Sequence, residues 1–168
     1  MVAIASLATE PLPSLQPMTA PYPLSFDVVW LASDRHGCLG AFVTGGVGPV
    51  PVVALTPAPG DPEDIELRLL ELPVMAEAKL SASTPLPESF AALVERGLFV
   101  YDWTDVHRTR STQRNAYQRF AVPTRAITVD ALPEDIAAVA RRVCLAGTDF
   151  GADEAIDVTL QLSCERGE

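Results

Sequence analysis

The chain has 168 residues, 48% of them hydrophobic and 20% charged, and its 22 acidic and 12 basic side chains leave a formal net charge of −10. That length suits one domain, and the apolar share excludes a wholly disordered chain. The acidic balance argues against a nucleic-acid binder, whose affinity rests on neutralising phosphates, and against adhesion to an anionic bilayer.

No apolar run approaches the ~20 residues of a membrane span. The apolar stretch Val2 to Ala8 is short and lacks a preceding cation, so no secretory signal is expected and the cytoplasm is the expected compartment. Pro11, Pro13, Pro17, Pro21 and Pro23 follow. They fix φ and remove donors, which predicts an extended arm over residues 1–23 and a folded body over 24–168. Cys38, Cys144 and Cys164 are odd in number and lack metal-type spacing, so a disulfide scaffold is not expected.

In chain order, Phe26 to Ala32 reads as a strand, Asp34-Arg-His-Gly37 as a turn and Cys38 to Thr44 as the returning strand. Gly45-Gly-Val-Gly-Pro49 breaks the run, and Val50 to Leu55 is expected as a short third strand. Three helices share a start signal, Pro62-Glu-Asp-Ile65, Pro87-Glu-Ser-Phe90 and Pro133-Glu-Asp-Ile136, with Pro in the first turn and carboxylates facing the positive end of the helix dipole. Asp61 is expected to cap the first, which carries Ile65, Leu69 and Leu72 inward until Pro73. The second places Phe90, Leu93 and Val94 inward and stops at Gly97. The third places Ile136, Val139, Ala140 and Val143 inward and runs to Gly147. Further strands are expected at Val74 to Leu80, Leu98 to Trp103, Tyr117 to Val122, Ala126 to Val129, and over the alternation Ile156, Val158, Leu160, Leu162. Strands outnumber helices and begin with a hairpin, which predicts an α+β domain with a mixed or mainly antiparallel sheet and about three helices.

Charge is segregated along the chain. From Val106 to Val129 there is no Asp or Glu, while Arg108, Arg110, Arg114, Arg119 and Arg125 give the segment +5 against −15 elsewhere. Its first half, Thr104 to Ala116, is polar and non-periodic and is expected to form a long loop, a common carrier of function. Arginine forks suit carboxylates and phosphates, whether on a partner or on the protein's own acids. Trp103, Asp105, His107, Arg108, Arg110 and Arg114 are therefore the candidate binding residues, with Trp103 and the arginines as anchors. Asp102, Asp105 and His107 have oxygen/nitrogen metal-ligand chemistry, but lack a second ligand set. Neither metal nor cofactor is expected.

Weaker motifs have plain structural explanations. Gly45-Gly46-Val47-Gly48 lacks the Gly-Lys-Ser/Thr end of a phosphate loop and reads as a sharp turn. Cys38 and His36 sit two apart, a spacing that permits a thiol–imidazole pair, without any thiol-enzyme context. Cys144, on the third helix near its apolar stripe, and Cys164 near the tail are expected as buried small hydrophobes or inert thiols. No Gly-x-Ser-x-Gly elbow occurs. Glu63/Asp64 and Glu134/Asp135 are explained by helix starts, so an enzyme is the less favoured reading.

Trp30-Leu-Ala-Ser-Asp34 through Gly37, with Ala41-Phe42-Val43-Thr44-Gly-Gly46 and Gly48-Pro49, resembles small uncharacterised bacterial proteins of the toxin-immunity type. The resemblance covers about 25 residues, at turn and strand positions, and carries over no functional residue. It implies a cytosolic protein-binding module that neutralises a toxin domain by occlusion, a role to which an acidic inhibitor would be steered electrostatically. The alternative is a small ligand- or metal-binding protein, or an enzyme, with its site in the Asp102–Arg114 loop.

Overall fold

The computed structural model describes residues 19–20, 27–80, 86–103 and 116–159. In chain order these form β1 (Thr19–Ala20), β2 (Val29–Asp34), β3 (Leu39–Val43), β4 (Val50–Pro51), α1 (Ile65–Leu70), β5 (Ala78–Leu80), α2 (Glu88–Val94), β6 (Phe99–Trp103), β7 (Tyr117–Pro123), α3 (Glu134–Arg141), β8 (Cys144–Leu145) and β9 (Ala155–Ile156). The main sheet runs β5-β7-β6-β3-β2-β8, with β9 also on β7; β1 and β4 form a separate pair. β2–β3, β6–β7, β5–β7 and β7–β9 are antiparallel, whereas β2–β8 and β3–β6 are parallel. The fold is α+β with a mixed sheet and three helices, as the alternation and cap signals predict. Among the described residues, no helix is long and apolar enough to cross a membrane.

Each face of the sheet buries a different core. Leu31, Leu39, Ala41, Val43, Val100 and Phe120 pack against Leu69, Leu93, Val94, Ile136 and Ala140 on the helix-covered side. The opposite face is aromatic. Register sets Trp30 beside Phe42 and Phe42 beside Tyr101 on three neighbouring strands. Their rings stack at 4.3 and 5.1 Å between centroids. Phe150 covers this row, meeting Phe42 edge-on at 5.8 Å. It can do so because position 40 is glycine: a Cβ there would lie 2.7 Å from the Phe150 ring.

Local capping follows the sequence with corrections. Asp64, rather than Asp61, caps α1 by accepting the Leu67 N–H at 3.1 Å. Asp61 instead accepts the Ala58 N–H and is gripped by both terminal nitrogens of Arg142, tying the segment before α1 to the end of α3. Gly97, at φ +91°, follows α2 as expected. The third helix ends at Arg141, well before Gly147, because Cys144–Leu145 leaves to pair in parallel with Ser33–Asp34. Val143 is buried on the aromatic side of the sheet, and Cys144 is exposed rather than buried.

Four expected strands shrink. Val50–Leu55 is a strand only at Val50–Pro51, after which Val52–Leu55 winds into a 3₁₀ turn. In Val74 to Leu80 only Ala78–Leu80 pairs with the sheet. The Met75 and Ala76 N–H groups both bond the Glu95 carbonyl, so Val74 faces solvent while Met75 packs on the core. Ala126 to Val129 makes a single bridge, Thr128 to Cys38. At the C-terminus Ala155–Ile156 pairs with β7 and Val158 is buried, but Asp157 turns the chain by accepting the Thr159 N–H; Leu160 and Leu162 lie outside the described residues. Thr19–Ala20, within the proline-rich segment, pairs with Val50–Pro51.

Asp34, 3% exposed, closes the β2–β3 turn and joins it to the segment covering the aromatic row. Its Oδ1 accepts the His36 and Cys38 N–H groups, both at 2.9 Å, and its Oδ2 accepts the Phe150 N–H at 2.9 Å. Hydrogen bonds to a buried charge are worth more than neutral ones. Replacing Asp34 by Ala is expected to cost on the order of 3 kcal/mol, read from the urea midpoint.

Arg142, Arg68 and Arg35 hydrogen-bond Asp61, Asp135 and Asp149 respectively and hold those carboxyls below the usual aspartate range. A depressed folded-state pKa stabilises fully above the unfolded value of about 3.9, and that stabilisation fades as pH falls through the folded value. Urea stability is therefore expected to decline on acidification below about pH 5, with a shallower decline in Asp61→Asn.

Candidate functional site

The segment expected as a loop follows β6 (Phe99–Trp103) and precedes β7 (Tyr117–Pro123), which pair antiparallel at one end of the sheet. Asp105, His107, Arg108, Arg110 and Arg114 belong to 104–115, outside the described residues. Trp103 stands at its root, half-buried, paired with Tyr117 in the β6–β7 ladder and edge-on to it at 5.0 Å. Tyr101 and Trp103 share a face by strand alternation. Tyr101 lies in the core and Trp103 at its rim.

Tyr117 fixes this root. Its hydroxyl accepts the Trp30 Nε1–H at 3.1 Å and donates to the Pro49 carbonyl at 3.0 Å. Burial pushes its pKa well above that of an ordinary tyrosine, so it stays a protonated donor. Gly48 lets the turn approach this closely: a Cβ there would lie 2.6 Å from the Tyr117 hydroxyl and 3.1 Å from the Trp103 ring.

The glycine turn cradles nothing of its own. The Gly45 N–H donates to Asp27 Oδ1, Gly46 to Thr44 Oγ1, and Val47 and Gly48 to the Thr44 carbonyl. All four donors that a phosphate would need are engaged by the protein, which bears out the turn reading.

On the helix-covered side of the same sheet end, Val29, Val43, Phe90 and Leu93 line a pocket of about 110 Å³ with Asp27, Glu66 and Ser89. Register sets Asp102 beside Val43, next to this pocket. Phe90 is braced edge-on against Phe120 at 5.2 Å. Sequence reading missed the pocket, because Asp27 precedes a strand, Glu66 looks like a helix-start carboxylate and only packing joins them.

Of the five arginines in the acid-free segment, two are described. Arg119 stands beside Tyr101 in the ladder, and its Nη1 donates to the Phe150 and Gly151 carbonyls at 3.0 and 2.7 Å, an internal clamp. Arg125 is exposed after β7.

At the opposite end of β2, His36 Nε2 accepts from Arg35 Nε at 2.9 Å, while Arg35 also reaches Asp149 at 2.7 Å. Burial, then the neighbouring Asp34 and Asp149 carboxylates, raises the Cys38 pKa. That environment keeps the thiol protonated and opposes a nucleophilic role. Among the described residues no cluster of His, Cys, Asp and Glu could hold a metal ion. Compared with family models, curated proteins and solved structures, the chain matches none.

Tyr117→Phe keeps the ring but strands the buried Trp30 N–H and removes the bond to Pro49. It is expected to lower stability by about 1–3 kcal/mol in chemical denaturation.

Proposed function

We propose that this chain is an acidic, cytoplasmic protein-binding module that docks on a basic protein through the sheet end carrying Trp103 and residues 104–115. The partner class best suited is a toxin enzyme occluded in the manner of an immunity protein. One observation carries the reading: Asp27 and Glu66 line a pocket at the sheet end where Asp102 pairs with Val43, and on the other face of that end stands the half-buried Trp103 on a rigid aromatic base. Tryptophan and arginine are the side chains that most often anchor interfaces, and a carboxylate-rich rim speeds encounter with a cationic partner. A net charge of −10 acts in the same direction at longer range.

The test begins with affinity capture from the native host, followed by calorimetry and stopped-flow kinetics on the purified partner. The expected result is a basic enzyme, bound one to one and inhibited on binding. Its association rate should fall at least about tenfold between low and high salt. Replacing Arg108, Arg110 and Arg114 together by Ala should weaken binding and leave the melting temperature unchanged. A steep fall in melting temperature would make those arginines structural and sink their role as contacts. An association insensitive to salt would sink the electrostatic reading.

A further inference from the structure

The pocket between the strands β2 and β3 and the helices α1 and α2 differs in chemistry from the rest of the acidic surface. Elsewhere the described carboxylates are often consumed by the chain's own arginines: Asp61 by Arg142, Asp135 and Glu71 by Arg68, Glu134 by Arg141, Asp149 by Arg35. Among the described residues no arginine or lysine contributes to the pocket's lining. Glu66, half-buried, makes no hydrogen bond or ion pair among the described residues. Asp27 accepts the Thr44 hydroxyl and the Gly45 N–H, both through Oδ1, which fixes the carboxylate in place. The lining mixes these polar groups with apolar side chains, Val29 and Phe90 partly buried and Val43 and Leu93 buried. Leu67, next in the chain to Glu66, is 62% exposed.

We infer that this pocket receives the side chain of a lysine or arginine from the partner, its aliphatic stem against Val29, Val43, Phe90 and Leu93 and its charged head between Asp27 and Glu66. The inference rests on the protein-binding reading and names the partner's chemistry at one point of it. Lysine and arginine carry both halves of the required complement, an apolar stem and a cationic head. Ser89 supplies a further acceptor, and the Phe90 ring a face that attracts cations. A pocket of about 110 Å³ takes the end of one side chain rather than a folded cofactor. Because the aromatic brace and the Asp27 bonds form it in advance, little ordering is required on binding.

The test uses the full chain and a probe that needs no partner. Amide NMR spectra are titrated with n-butylguanidinium, and with n-butanol as the neutral counterpart. The cation should shift the Val29, Val43, Glu66 and Phe90 amides along a saturable curve. Glu66→Gln should weaken it by about tenfold, and Ser89→Lys, which places an internal cation at the rim, should abolish it. Butanol should not reproduce the shifts. Equal response to butanol, shifts centred elsewhere, or an unaltered curve in Glu66→Gln would each overturn the inference. Failure of the broader reading is seen separately. If the probe binds as expected but no basic partner is captured, that reading falls alone. If a captured partner binds Glu66→Gln as tightly as the native chain, the pocket assignment falls alone.

Discussion

The structure depends on the coverage of one row of aromatic rings. Trp30, Phe42 and Tyr101 stack across three adjacent strands, and a sheet face of that kind must be taken out of water. The helices α1, α2 and α3 pack on the other face. Much of the cover here is irregular chain, with Phe150 pressed into the space left by Gly40 and the Tyr101 hydroxyl bonded to the Asp153 carbonyl at 2.7 Å. Irregular backbone over a core brings polar groups that must be satisfied. Asp34 accepts the Phe150 N–H, while Arg119 donates to the carbonyls of Phe150 and Gly151. A carboxylate and a guanidinium, buried or nearly so, are justified because they replace the ladder bonds that a covering strand would have made.

The helix-covered side is held by apolar packing and by arginines that link elements distant in sequence. Arg68 on α1 reaches Asp135 at the start of α3; Arg96 after α2 donates to the Leu70 carbonyl at the end of α1; Arg142 after α3 holds Asp61 before α1. These pairs are partly exposed, and such pairs fix geometry more than they add stability. Their functional consequence is subtraction. Among the described residues much of the basic charge is thus committed internally.

The loop root and the pocket lie on opposite faces of the same sheet end, joined by the register of a few residues. Val29, Val43 and Asp102 stand in one row across β2, β3 and β6, with Trp103 one residue on and therefore pointing to the other face. A partner at this edge would meet carboxylates on one side and an aromatic surface on the other. The position follows from the strands: β3 and β6 run parallel and end together, so the turn after one and the loop after the other leave from the same place.

The amino-acid order alone determined what depends on neighbours: the β2–β3 hairpin with its Asp-Arg-His-Gly turn, three Pro-led helices, the strand ending in Trp103, and thus the α+β class, because caps and periodicities of two and 3.6 act within a few residues. It also showed where arginine is concentrated. Strand lengths at Val50, Val74 and Ile156, the true end of α3 and the role of Asp61 were decided by tertiary contacts, since Val143 to Leu145 could continue a helix until β2 offered its edge. Pocket and aromatic row were hidden for the same reason. Asp27 with Glu66, and Trp30 with Phe42 and Tyr101, come together through long-range pairing, and no local pattern along the chain records which strands will lie side by side.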